Sequence, residues 1–206
     1  MAGANKKGLL VVVSAPSGAG KTTLCKEISR ALTNLKHSIS YTTRQPRPNE
    51  IDGEHYFFVS TEKFKQMVKK GEFAEWAVVH GNLYGTSKKQ LSSMLNNGID
   101  VILDIDSQGA MQIKKNWKAG VYIYILPPSF DDLKTRLMER NADAKDEIKK
   151  RLKNARKEIP YYKRYNYVII NDRFDKALEK LKSIIIAEKL RIERFSKNLI
   201  KEKFGS

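Results

Sequence analysis

The stretch Leu9-Leu10-Val11-Val12-Val13-Ser14-Ala15-Pro16-Ser17-Gly18-Ala19-Gly20-Lys21-Thr22 decides how the rest of the chain is read. Leu9 to Val13 is an unbroken apolar run rich in β-branched residues, the pattern of a central parallel strand covered on both faces. A glycine-rich loop follows at once, and Lys21 to Leu32 then sets Leu24, Ile28, Ala31 and Leu32 at helical spacing. Strand, loop and helix in this order form a unit that cradles phosphate groups. Gly18 and Gly20 let backbone N–H groups turn inward, and the helix N-terminus adds a favourable dipole. Lys21 is expected to reach the outer phosphates of a nucleoside triphosphate, and Thr22 to offer a hydroxyl to Mg2+.

Working outward, Val101 to Ile105, Val121 to Leu126 and Tyr167 to Ile170 are short apolar runs that alternate with helical patterns, as a layered α/β sheet requires. Asp104 ends the first of these, where a carboxylate that holds magnesium through water is expected. Asp106 shares its face if the strand persists that far. The segment from Lys36 to Ser87 has a different character. Ser38 to Thr43 and Tyr56 to Val59 read as strands, and Glu62 to Lys70 as a helix closed by Gly71. From Asp131 to Lys157 the chain reads as helical and arginine-rich. The last helix is expected from about Lys176 to Lys203, with one apolar face. The fold class is therefore α/β: a three-layer P-loop fold with a central parallel sheet, an inserted mixed α+β subdomain and a helical lid. Residues 1–206 form a single domain, with core segments 8–35, 88–130 and 158–206, the insert at about 36–87 and the lid at about 131–157.

With 206 residues the chain can bury a real core. The single cysteine, Cys25, rules out an internal disulfide, and no stretch approaches the roughly 18 consecutive apolar residues of a membrane span. A cytoplasmic protein with no membrane partner is expected. The net charge of +16 suits either nucleic acid or a site that gathers several phosphates. Aromatic residues are not interleaved with the basic ones as a stacking platform needs, so no specific nucleic-acid partner is expected.

The insert contains Thr42-Thr43-Arg44-Gln45-Pro46-Arg47-Pro48-Asn49-Glu50 and then Gly53-Glu54-His55-Tyr56. Two arginines three apart, stiffened by prolines, make a fork suited to a phosphate monoester, and Tyr56 and Tyr84 add phenolic donors. A carboxylate such as Glu75, in Phe73-Ala74-Glu75-Trp76, accepts from the N1–H and amino group of guanine, a donor pair that adenine lacks on that edge.

With these motifs in place the chain resembles the guanylate kinase family from Leu9 to about Leu190. The resemblance rests on Ser17-Gly18-Ala19-Gly20-Lys21-Thr22, the Thr42-Thr43-Arg44 to Glu50 segment, Glu75-Trp76, Tyr84-Gly85-Thr86, Ile102-Leu103-Asp104-Ile105-Asp106-Ser107-Gln108-Gly109 and Tyr167-Val168-Ile169-Ile170-Asn171-Asp172. It implies ATP-dependent phosphorylation of GMP, and of dGMP, with Mg2+. In that reading the insert is the GMP-binding subdomain, where Arg44, Arg47, Tyr56 and Tyr84 hold the GMP phosphate and Glu50 orients the arginines. Ser40, Glu75, Thr86 and Asp106 read the guanine. Ala15, Pro16 and the rest of the loop to Thr22 bind ATP with Asn171 near the adenine, while Arg136, Arg140 and Arg151 close from the lid. Lys21, Arg44 and the three lid arginines carry the transfer. The chain departs from the family at Ala15, where glycine is frequent, and at Asn141 and Ala144, where glycine and serine are frequent.

Two alternatives remain open at this level: a kinase for another nucleoside monophosphate, and a catalytically silent guanylate-kinase-like module that binds phosphoproteins. Glu75 with Asp106 speaks against the first, and the retained Lys21, Thr22 and Asp104 against the second. The long terminal helix suits a homodimer or higher homo-oligomer as well as packing within the chain.

Overall fold

The computed structural model describes residues 7–79, 81–139, 145–195 and 205. The apolar run forms β1 (Leu10–Ser14), buried along its whole length. It lies at the centre of a five-stranded sheet in the order β2-β7-β1-β8-β9, where β2 is Leu35–His37, β7 is Asp100–Asp104, β8 is Val121–Leu126 and β9 is Tyr167–Ile170. All four pairings are parallel.

Both faces of this sheet are covered, which explains why its strands read as continuous apolar runs. On one face Val11, Val13 and Ile123 pack with Leu24, Cys25 and Ile28 of α1 (Lys21–Ala31) and with Leu181 and Ile185 of α7 (Phe174–Lys189). On the other, Leu10, Val12 and Leu103 meet Leu91 of α3 (Lys88–Asn96) and Ile113 of α4 (Ser107–Asn116). The three expected layers are present.

A second, four-stranded sheet follows the order β4-β3-β6-β5, with β3 Tyr41–Thr42, β4 Phe57–Phe58, β5 Phe73–Val79 and β6 Asn82–Ser87. Strand alternation gives it two distinct faces. Tyr41, Phe57 and Phe73 occupy one face with Phe64 of α2 (Thr61–Lys69), and their rings stack at 4.8 Å for Tyr41 with Phe57 and 4.5 Å for Phe64 with Phe73. Thr42, Glu75, Tyr84 and Thr86 share the other. The two long strands β5 and β6 carry no simple apolar alternation, and the sequence reading did not assign them.

Two expectations change. The terminal helix ends at Lys189 rather than near Lys203, and Arg191 turns extended after the cap at Leu190. The reason is packing: Ala177, Leu181 and Ile185 are buried, whereas Leu190 and Ile192 are 66% and 72% exposed, so the later apolar positions have no core to meet. Residues 196–204 lie outside the described ones. In addition, β7 stops at Asp104, so Asp106 is not a strand residue; it caps α4, its carboxylate accepting from the amides of Gln108 at 2.7 Å and Gly109 at 3.2 Å. No helix of the described residues is long and apolar enough to cross a membrane.

Close ring packing over β6 leaves no space at Gly85. A Cβ there would stand 2.8 Å from Phe73 Cδ1 and 3.1 Å from Phe64 Cζ. Gly85→Ala is expected to destabilise the protein by about 1–3 kcal/mol, read as a lowered midpoint in thermal unfolding.

Candidate active site

The parallel register sets Val13 beside Asp104, so the loop after β1 begins next to the carboxylate that ends β7. Gly18 and Gly20 take φ of 94° and 87°, a region that side-chain-bearing residues avoid. At Gly20 space is short as well, since a Cβ would stand 2.5 Å from Asn171 Nδ2. That amide group donates to the carbonyl of Ala19 at 2.8 Å. Asn171, placed near the adenine by resemblance, thus grips the loop itself.

Lys21 Nζ lies 2.7 Å from Asp104 Oδ1 and donates to the carbonyl of Ile105 at 2.9 Å. Burial alone pulls a lysine pKa down, but the adjacent Asp104 outweighs it and holds Lys21 above its ordinary value. Burial likewise pushes Asp104 up, and Lys21 together with a Thr22 hydrogen bond brings it below the usual carboxylate range. Both groups are therefore charged. From α5 (Phe130–Glu139), Arg136 Nη2 donates to the carbonyl of Asn171 at 2.9 Å, and from α6 (Lys145–Glu158), Arg151 Nη2 donates to Ser17 Oγ at 2.9 Å. Arg140, Asn141 and Ala144 lie outside the described residues. A cavity of about 230 Å³ is lined by Ala15 through Thr22 with Asp106 and Glu158.

Thr22 also lines a second cavity of about 510 Å³, together with Asp104, Ser40, Arg47, Tyr56 and Tyr84. Arg44, on its wall, places Nη2 2.8 Å from both oxygens of Glu50, and Glu50 Oε2 accepts the Arg47 amide at 2.8 Å. Burial pushes Glu50 up, but the Arg47 amide and the Arg44 guanidinium together bring it below its ordinary value. The Arg44 guanidinium lies over the Tyr56 ring at 5.4 Å, and Tyr56 meets Tyr84 edge-on at 5.9 Å. Glu50 thus holds Arg44 by its guanidinium and Arg47 by its backbone amide, while Arg44 Nη1 donates to the carbonyl of Gln45 at 2.7 Å.

Glu75 is 3% exposed and accepts from Thr86 Oγ1 at 2.6 Å. Its second oxygen rests against α4, where a Cβ on Gly109 would stand 2.4 Å from Oε2. Burial pushes its pKa to about 7, with the Asp106 charge adding to the rise and the Thr86 hydroxyl opposing it. The structure also places His37, which the sequence reading did not single out, on the wall of the larger cavity. A lone histidine on a short edge strand carries no signal in sequence.

Thr22 and Asp104 present hard oxygens side by side, and among the described residues no group of three or more His, Cys, Asp or Glu side chains forms a metal cage. That donor set fits Mg2+ arriving with phosphates rather than a resident ion.

A lysine and carboxylate at the strand ends, a glycine loop at a helix N-terminus, and a second anion cavity sharing Thr22 define a P-loop nucleotide phosphotransferase. Residues 7–188 match the sequence family described as guanylate kinase. A guanylate kinase of Geobacter metallireducens is 53% identical over 189 residues, covering 92% of this chain and 93% of its own length. One of Clostridium tetani is 48% identical over 200 residues, covering 97% and 96%. The crystal structure of guanylate kinase from Anaplasma phagocytophilum superposes with a TM-score of 0.79 at 31% identity, covering 98% of this chain and 97% of that one. The chain belongs to the guanylate kinase family and is a nucleoside monophosphate kinase.

Glu75 makes stability depend on pH. Its folded pKa of about 7 lies above the 4.5 of a free glutamate, so the folded state keeps a proton that the unfolded chain releases in this window. The contribution of Glu75 is fully present below about pH 4.5 and falls by about 3 kcal/mol as the pH rises through 7. Glu75→Gln should remove that slope, so that urea unfolding favours the variant more at pH 8 than at pH 5. Parallel profiles for the two proteins would show that Glu75 ionises normally.

Proposed function

We propose that the protein phosphorylates GMP, and dGMP, with ATP by direct in-line transfer between the two cavities that meet at Thr22. The observation that carries this reading is the pairing of a phosphate loop with a separate arginine fork and a buried carboxylate. A single-substrate nucleotide hydrolase has no use for the last two. The loop amides and Lys21 hold the ATP phosphates, and Lys21 exchanges part of its contact with Asp104 for the transferring group. Thr22 and Asp104 would hold Mg2+, which would supply charge neutralisation at the phosphates. Arg44 and Arg47 hold the acceptor phosphate with Tyr56 and Tyr84 beside them, while Glu50 keeps the fork in register. Ionised Glu75 accepts from the guanine N1–H and amino group, with Thr86 holding the carboxylate and Ser40 and Asp106 completing the base site.

The lid arginines are already drawn toward the loop, Arg151 on Ser17 and Arg136 on the Asn171 carbonyl, and both are placed to transfer to phosphate oxygens. Arg140 acts with them in this reading. The insert, about 36–87, and the lid, about 131–157, close over the substrates and exclude water from the transferring group. The reaction belongs to the cytoplasm, where a reduced Cys25 is the expected state.

Two measurements test this. ADP release from ATP and Mg2+ with GMP, dGMP, AMP, UMP and CMP in parallel should respond to the guanine nucleotides alone, and Glu75→Gln should raise the KM for GMP by at least about tenfold. Equal turnover with AMP would reject the base assignment. Lys21→Ala should lower kcat by at least about 10²-fold, with circular dichroism showing a folded protein. Near-normal turnover would remove Lys21 from the transfer step.

A further inference from the structure

A cavity of about 880 Å³ lies outside both nucleotide cavities, on the aromatic face of the small sheet. Its apolar lining comes from Ile39, Tyr41, Phe57, Met67 and Met94, and at its edge three exposed lysines, Lys70, Lys88 and Lys89, stand against one exposed carboxylate, Glu72. Such a volume, apolar with a few polar groups, is in the range of small-molecule sites.

One further observation points to the charge of an occupant. Lys88 and Lys89 open α3, whose first turn carries no acidic residue, although a helix N-terminus favours negative charge. Among the described residues none of the three lysines forms an ion pair. The cavity also includes His37, whose Nε2 is buried without a hydrogen-bond partner among the described residues. Orphaned buried groups of this kind are costly and are commonly satisfied by a ligand or water.

The cavity's position adds a consequence. Its walls belong to two bodies: α3 and β2 on the main sheet, and β3, β4 and α2 on the small one. The chain crosses between them at Ser38 to Ser40 and at Ser87 to Lys88. His37 lines this cavity on one side of the first crossing and the acceptor cavity on the other. We propose that this cavity binds a small organic anion with an apolar body, and that the occupant, wedged between α3 and the small sheet, tilts that sheet toward α1 and tightens the acceptor pocket. The occupant's apolar part lies on Tyr41, Phe57 and Met67, and its anionic group meets the side chains of Lys88 and Lys89.

The test uses anilinonaphthalene sulfonate, a fluorescent probe with an aromatic body and one anionic group, titrated into the full chain at fixed ionic strength. Saturable one-to-one binding is expected. The double variant Lys88→Glu with Lys89→Glu should weaken it at least about tenfold, and acidic residues at a helix N-terminus favour the folded state, so loss of fold is not the explanation. Ser93→Trp, from the α3 wall, should abolish binding by filling the space. This arm needs no nucleotide and so stands or falls apart from the assignment of GMP as acceptor. With the probe bound, the Kd for GMP by calorimetry should fall several-fold, and GMP should tighten the probe by the same factor. Displacement of the probe by GMP or ATP, or undiminished binding in both variants, overturns the site. An unchanged Kd for GMP with the probe bound overturns the coupling.

Discussion

The contact between Lys21 and Asp104 is the constraint around which the active region is arranged. Two partly buried charges at the floor of the cavities each satisfy the other, and Lys21 gains the Ile105 carbonyl as well. The pair ties the first turn of α1 to the end of β7, which fixes the loop between β1 and α1 against the neighbouring strand. Everything that follows Asp104 inherits this anchoring, including the Asp106 cap and the helix α4 that braces Glu75. A phosphate arriving at the loop therefore meets a lysine already in place and already charged. The exchange of one anionic partner for another leaves Lys21 satisfied throughout.

A similar economy holds the other groups. Glu50 keeps Arg44 pointed, Asn171 keeps the loop carbonyl of Ala19 occupied, and Ser17 holds Arg151. Each contact is a hydrogen bond that preorganises a donor or a loop, so that ordering it on binding costs less entropy. Glu75 is the exception. It is held in a dry wall where ionisation is disfavoured, which makes it demanding about what it will accept from a ligand.

Much of this was legible in the sequence because the signals were local. The strand, loop and helix from Leu9 to Leu32 announce themselves through composition and spacing, and β8 and β9 coincide with apolar runs bounded by turns. The arginine fork was readable because prolines and a nearby carboxylate surround it. What sequence left hidden depends on contacts across the chain. The end of α7 is set by where the core stops rather than by an apolar pattern, and the capping role of Asp106 is set by where β7 stops. The grip of Asn171 on the loop joins residues 152 positions apart. Strands β5 and β6 escaped because one face carries the buried polar pair Glu75 and Thr86, so no alternation of apolar and polar side chains marks them.

The tight seat of Glu75 against Gly109 has an implication for how such an enzyme can change over evolutionary time. Gly109 belongs to the helix that Asp106 caps, and that helix springs from the strand bearing Asp104. Any side chain added at Gly109 to reshape the base pocket would press on the carboxylate and shift the helix start, and with it the carboxylate that partners Lys21. On the proposed assignment of Glu75 to the acceptor base and of Lys21 to the donor phosphates, choice of acceptor and competence toward the donor are mechanically linked in one short segment. On that assignment, drift toward a different base would begin at Ser40, on the wall of the acceptor cavity, since Thr86 holds the same carboxylate that Gly109 confines.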